Sequence, residues 1–144
     1  MTATHTRTGV RQVTAYLCVK GAAEAIAFYT RAFGARERYR ITMPDGRIGH
    51  AEITLGESML MLSDEAPERG VLSPQSLGGF STSFVLEVED ADTAFQRALD
   101  AGATLERPLT DEPYGRGGWL FDPFGHRWHV FTPNPAFDPA QLQP

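Results

Sequence analysis

One plan written twice constrains this chain more than any other feature of its sequence. Residues 13–19 alternate, with Leu17 and Val19 on one face and Thr14, Tyr16 and Cys18 on the other, which predicts a strand. A helix is expected over 22–33, because Ala22, Ala25, Ile26, Tyr29 and Phe33 recur at helical spacing and Gly34 is placed to cap it. Extended runs follow at 36–43, 47–55 and 58–63, joined by the turn signals Pro44-Asp45-Gly46 and Gly56-Glu57. Residues 64–79 lapse into Pro, Gly, Ser and charge and read as a linker. Then the plan restarts. Residues 81–88 alternate, with Phe84, Leu86 and Val88 facing one way and Ser83, Val85 and Glu87 the other. Asp90 caps a helix carrying Ala91, Ala94, Phe95 and Ala98 and closed near Gly102. Three more extended runs are expected at 104–108, 118–121 and 127–132, broken by Pro113-Tyr114-Gly115 and Asp122-Pro123-Phe124-Gly125. Thr14 and Ser83, like Val19 and Val88, lie 69 residues apart. Neither half can bury a sheet face alone, so the two are expected to join in one continuous curved sheet with helices behind it.

Composition removes several classes of function. At 144 residues the chain suits one domain with a real core, and no run approaches the roughly 18 apolar residues of a membrane span. Thirteen basic against eighteen acidic residues, with Lys20 the only lysine, argue against a surface that tracks nucleic-acid phosphates. The polar stretch 1–9 has no apolar signal-peptide core, and one cysteine forms no internal disulfide, so a reducing cytoplasm is the expected location. No GxSxG elbow, phosphate loop or dinucleotide fingerprint is present. Histidine is scarce: of four, His5 falls in a tail, leaving His50, His126 and His129 for chemistry.

Three stretches carry a resemblance. Ala25-Ile26-Ala27-Phe28-Tyr29-Thr30-Arg31-Ala32-Phe33-Gly34, Gly49-His50-Ala51-Glu52-Ile53 and Asp122-Pro123-Phe124-Gly125-His126-Arg127-Trp128 resemble the vicinal-oxygen-chelate superfamily of glyoxalase I, extradiol dioxygenases and bleomycin-resistance proteins. The nearest likeness is to its PhnB-like branch. The resemblance implies an α+β fold in which two βαβββ modules form a cupped mixed sheet with helices on the outer face. It covers a single domain at 12–132, with module one at about 12–63, a linker at 64–79, module two at about 80–132, and tails at 1–11 and 133–144.

Metal-using members of that superfamily place one ligand on the first strand and one on the last strand of each module. Carried over, these positions fall on Thr14, on Met61 or Leu60, on Ser83 and on His129. Neutral hydroxyls are weak ligands and a thioether suits copper, so the usual quartet is broken and no metal cofactor is expected. The alternative is a relocated divalent-metal site. His50 and Glu52 share one strand face about 7 Å apart, and with His129 they make a two-histidine, one-carboxylate set. Otherwise His50 and Glu52 mark a polar edge strand or a dimer contact.

His129 is a candidate general acid or base, or else a partly buried histidine bonded to a neighbour. Tyr114-Gly115-Arg116-Gly117-Gly118-Trp119 reads either as a mobile loop that brings a guanidinium over a bound anion or ring, or as a flexible hairpin whose Trp119 packs inside. His126 is expected to stabilise its turn or meet solvent, and Cys18 to act as a small buried hydrophobe with no activator. The resemblance and the broken quartet together imply a metal-independent, homodimeric small-molecule-binding protein. It would hold an aromatic or amphiphilic metabolite or drug through Tyr16, Glu52, Arg116, Trp119 and His129. The alternative is a metal-dependent lyase, isomerase or dioxygenase using His50, Glu52 and His129; a third reading is an interaction subunit with a vestigial cleft.

Overall fold

The computed structural model describes residues 9–143; His5 lies outside them. Module one runs β1 (Tyr16–Val19), α1 (Ala22–Phe33), β2 (Arg36–Thr42), β3 (Ile48–Leu55) and β4 (Ser58–Asp64). After a connector holding the one-turn helix α2 (Pro74–Leu77), module two repeats the order as β5 (Ser83–Glu87), α3 (Ala91–Ala101), β6 (Thr104–Glu112), β7 (Gly115–Phe121) and β8 (Arg127–Pro133). Each module folds into a four-stranded mixed sheet, ordered β1-β4-β3-β2 and β5-β8-β7-β6, whose first and last strands run parallel. The expected single continuous sheet is therefore corrected to two sheets. The contact across them at β1 is made by a side chain: His126 Nε2, just before β8, donates to the Cys18 carbonyl at 3.0 Å.

One face of each sheet is covered by its own helix, and α1 and α3 pack on each other, so both modules share one core. Leu17, Val19, Ile53 and Leu62 line it from the first sheet, and Leu120, Trp128 and Val130 from the second. Leu60 and Leu62 turn toward this core, which settles the β4 register: Met61 faces the helix-free side with Tyr16, its cross-strand partner. Between the modules the Asp122 carboxylate, 3% exposed, accepts from Tyr29 Oη at 2.5 Å, Trp128 Nε1 at 2.9 Å and the amides of Phe124 and His126 at 2.9 and 3.0 Å. A buried carboxylate must be satisfied this fully to be tolerated. The Asp122-Pro123-Phe124-Gly125 turn is thus the clasp that holds α1 onto the second sheet.

Two other expectations need correction, the first strand and the connector, and the cap on α1 comes from a residue the sequence did not mark. The first strand starts at Tyr16, so Thr14 lies outside the sheet. The start of α1 takes no cap from its own neighbours. Asp64, at the end of β4, accepts from the Gly21 and Ala22 amides at 3.0 and 2.7 Å and from the Ile48 amide at 2.7 Å, placing a carboxylate at the helix N-terminus. The connector is not slack either: Ser73 is fully buried and caps α2, and hydrogen bonds from Ser73 and Ser76 hold the Glu65 carboxyl down to about 2. No helix among the described residues is long and apolar enough to cross a membrane.

Candidate functional site

The helix-free faces carry the chemistry. On the first sheet, period-two alternation along β3 turns His50 and Glu52 outward while Ala51 and Ile53 enter the core. β3 lies between β2 and β4, so it is an interior strand and not the polar edge expected as one possibility. Glu52 is 7% exposed and every part of its carboxylate is used. Its Oε2 accepts from His50 Nε2 and Tyr39 Oη, both at 3.1 Å, and its Oε1 from Arg38 Nη1 at 2.9 Å. The hydrogen bond from His50, then those from Tyr39 and the Arg38 charge, hold its pKa below the ordinary carboxylate value. The other His50 nitrogen, Nδ1, stands 2.6 Å from Tyr16 Oη. Burial, with the Glu52 charge beside it, pushes the Tyr16 phenol pKa up.

On the second sheet the face is aromatic. Trp119 and His129 are cross-strand partners on β7 and β8 and their rings stack at 4.3 Å and 12°. Phe131 continues the column at 5.2 Å from His129, and the Arg127 guanidinium lies 3.7 Å from the Trp119 ring centroid while pairing with Glu106. Glycine makes the column possible. A Cβ on Gly117 would stand 2.5 Å from His129 Nε2, and one on Gly115 would stand 2.5 Å from Phe131. Burial and then the Arg127 charge push the His129 pKa down, so its neutral form is favoured.

These glycines correct the loop reading of residues 114–119. They belong to β7 and let aromatic rings lie flat on the sheet, and Gly118 does the same for Phe95 on the helix side. Arg116 consequently points away from the other candidates. It is held on the α3 side by Asp92 at 2.9 Å and Asp111 at 3.1 Å and is not over the cleft. The two faces therefore gather Tyr16, His50 and Glu52 in one place and Trp119 and His129 in another. Arg38, Tyr39 and Arg127 join them without having been singled out as site residues. Counting back from the Pro44-Asp45-Gly46 turn sets Tyr39 opposite Ala51, and only the register shift between Ile41 and Thr42 brings Glu52 opposite it, so no local signal marks Tyr39. Cys18 is half-buried with its pKa raised by burial and by Glu65 and Asp64, which keeps it a thiol.

The donor set does not suit a divalent ion. Among the described residues no three His, Cys, Asp or Glu side chains gather within one chain at metal-binding spacing, so His50, Glu52 and His129 are not brought together. Glu52 instead accepts from His50, Tyr39 and Arg38, and the one lone pair of His50 is turned to Tyr16. His129 is sandwiched between two rings beside a guanidinium, which disfavours any added positive charge.

Comparison with known proteins agrees with this architecture. An uncharacterized protein of Mycobacterium tuberculosis, Rv0887c, is 43% identical over 122 residues, covering 82% of this chain and 72% of the relative. An uncharacterized Arabidopsis thaliana protein, At5g48480, is 32% identical over 113 residues, covering 73% of this chain and 68% of its own. The crystal structure of that protein superposes with a TM-score of 0.69 at 26% identity, over 85% of this chain and 99% of that one. The PhnB protein of Bacillus cereus superposes with a TM-score of 0.63 at 25% identity, over 85% and 99%. The model of the Glyoxalase/Bleomycin resistance protein/Dioxygenase superfamily matches residues 9–130, and the chain belongs to that superfamily.

Proposed function

We propose that this protein is a metal-independent small-molecule-binding protein whose ligand is a planar aromatic or amphiphilic metabolite or drug. The carrying observation is the Arg127–Trp119–His129–Phe131 column on the second sheet, seated on Gly115 and Gly117. Both faces of Trp119 and His129 are occupied, so a ligand ring meets the column along its edges. That is the edge-to-face geometry aromatic pairs favour. Val85, 62% exposed and paired with His129, supplies the apolar ledge beside them. Buried aromatic surface gives the affinity, and Arg127, held by Glu106, caps the column with its charge.

The working unit in this reading is a cytoplasmic homodimer. Tyr39 and Ile41, alternate residues of β2, are large side chains 45% and 50% exposed on one chain, a surface suited to cover by a second copy. A thermal-shift screen with planar aromatic acids, aromatic antibiotics and thiol adducts tests the proposal. A true ligand at a hundredfold excess over its Kd stabilises by about 2.7 kcal/mol. Trp119→Ala abolishes that shift. A compound class that shifts both proteins equally, or none that shifts the wild type, contradicts the reading.

A further inference from the structure

The first sheet holds a second constellation that the aromatic column does not use. Glu52 is buried, the His50 side chain is 22% exposed and Tyr16 is 52% exposed, so a carboxylate, an imidazole and a hydroxyl lead outward from core to surface. Their connectivity fixes the direction of the protons. Glu52 already accepts from Arg38 and Tyr39 and is ionised, so it can only accept from His50, and His50 Nε2 carries the hydrogen. His50 Nδ1 then presents its lone pair to the Tyr16 hydroxyl, at 2.6 Å. The competing acceptor for that hydroxyl, the Gly49 carbonyl, is at 3.4 Å. With its proton turned toward His50, the phenolic oxygen keeps its own lone pairs for a bound molecule. A nucleophile hydrogen-bonded to a base that a third group orients is the general signature of an activated hydroxyl, recognised by geometry and not by sequence order.

Tyr16 borders a cavity of about 530 Å³ floored by Cys18, Met43, Ile48 and Val71. The acidic groups of that wall are already engaged: Asp64 by three amides, Glu65 by Ser73, and Glu68 by Arg47. Of the remaining lining, Cys18, Met43, Ile48, Ala66 and Val71 suit a small apolar acyl group, and Ser63 and Arg69 add polar groups to the wall.

We propose that Tyr16, His50 and Glu52 form a proton relay that makes the Tyr16 hydroxyl a nucleophile toward the acyl carbon of a small ester or thioester. In the step, the Tyr16 oxygen forms a bond to the acyl carbon while its proton passes to His50 Nδ1. The bond from the acyl carbon to the leaving oxygen or sulfur breaks, and the leaving group takes the electron pair. The resulting imidazolium is held by Glu52 and gives its proton to the leaving group or to water; water then hydrolyses the tyrosyl ester. Tyr16 is the catalytic nucleophile and His50 the catalytic base that takes its proton, and Glu52 is a positioning residue acting through His50. This activity is independent of the binding assigned to the second sheet.

The 144-residue chain is treated with p-nitrophenyl acetate, with p-nitrophenolate release followed by absorbance and the acetylated residue located by mass spectrometry. Tyr16 is expected to be acetylated at least about 100-fold faster than the exposed Tyr114, the factor a positioned base supplies. His50→Gln brings Tyr16 to the Tyr114 rate. Glu52→Gln falls between, and Leu105→Ala, at an exposed position on the other sheet, leaves the rate unchanged. Nitrogen-15 NMR of histidine-labelled protein provides a readout that does not depend on turnover: His50 is expected as the Nε2–H tautomer, with its Nδ1 resonance moved by Tyr16→Phe. Acetylation of Tyr16 no faster than of Tyr114, indifference to His50→Gln, or a His50 found as the Nδ1–H tautomer each overturns the relay.

Discussion

Across the first sheet, Tyr16, Met61, Glu52 and Tyr39 stand in one cross-strand row; across the second, Val85, His129, Trp119 and Arg107 stand in the matching row. Strand order, pairing and register coincide, yet the row that is hydrogen-bonded in one module is stacked in the other. The difference turns on one position. His50, two residues before Glu52, fills its place with an imidazole that ties Glu52 to Tyr16. Its counterpart, Gly117, two residues before Trp119, is empty, and the His129 ring occupies that space instead. A duplicated scaffold thus yields a polar relay or an aromatic column according to whether this site carries a side chain. The backbone plan fixes where groups stand, and side-chain volume decides what they do.

The largest expected effect comes from breaking the clasp on which both modules depend. Asp122→Ala strands the Tyr29 hydroxyl, the Trp128 indole and two amides in the core, and at about 1–3 kcal/mol for each unsatisfied buried donor the loss exceeds about 3 kcal/mol. Because α1 and Trp128 belong to different modules, thermal denaturation of the variant is expected to stay a single transition at lower temperature. Two separated transitions would show that the modules do not share one core.

A smaller effect sharpens the contrast between the faces. Gly117→Ala drives a methyl group to within 2.5 Å of His129 Nε2 and 2.9 Å of the Val130 carbonyl. Overpacking of this kind costs about 1–3 kcal/mol. Trp119 fluorescence is expected to change as the His129 ring leaves it, while Tyr16 acetylation stays at the wild-type rate. An unchanged emission spectrum would mean the column does not rest on the glycine.

The smallest effect separates the faces by pH. His129 and Glu52 both have folded-state pKa values below their ordinary ones, so each binds fewer protons folded than unfolded. Each therefore contributes stability that is present above its unfolded value and lost as pH falls through its folded value. The ordinary values, about 6.5 for histidine and about 4.3 for glutamate, set where each loss begins. His129→Gln is expected to flatten the stability profile just below pH ~6.5, and Glu52→Gln only below pH ~4.3. Urea denaturation at intervals of pH measures both. Flattening by both variants in the same window would erase the distinction.

Much of this was legible in the sequence, and the exceptions share a cause. Alternation along Gly49-His50-Ala51-Glu52-Ile53 places two polar side chains on one face, and helical spacing with Gly34 bounds α1 from Ala22 to Phe33. These are local signals. The role of Asp122 is not local, because its partner Tyr29 is 93 residues away and only the packed core joins them. The cap on α1 comes from Asp64, more than forty residues on. Residues 114–119 misled for a different reason. Glycines that signal a loop by composition also permit close approach in a strand, and only the rings of Phe131, His129 and Phe95 reveal which applies. Arg116 followed its glycines into the wrong reading, since its true partners Asp92 and Asp111 lie on the opposite side of the sheet.

The central claim is that the second face binds its ligand by aromatic contact and without a metal. Quantitative elemental analysis of the purified chain, before and after exhaustive chelation and paired with the thermal midpoint of each sample, tests it most directly. The account predicts no stoichiometric transition metal in the purified protein and the same midpoint after chelation. One tightly held metal ion per chain, lost on chelation or in His129→Ala together with ligand binding, would contradict it.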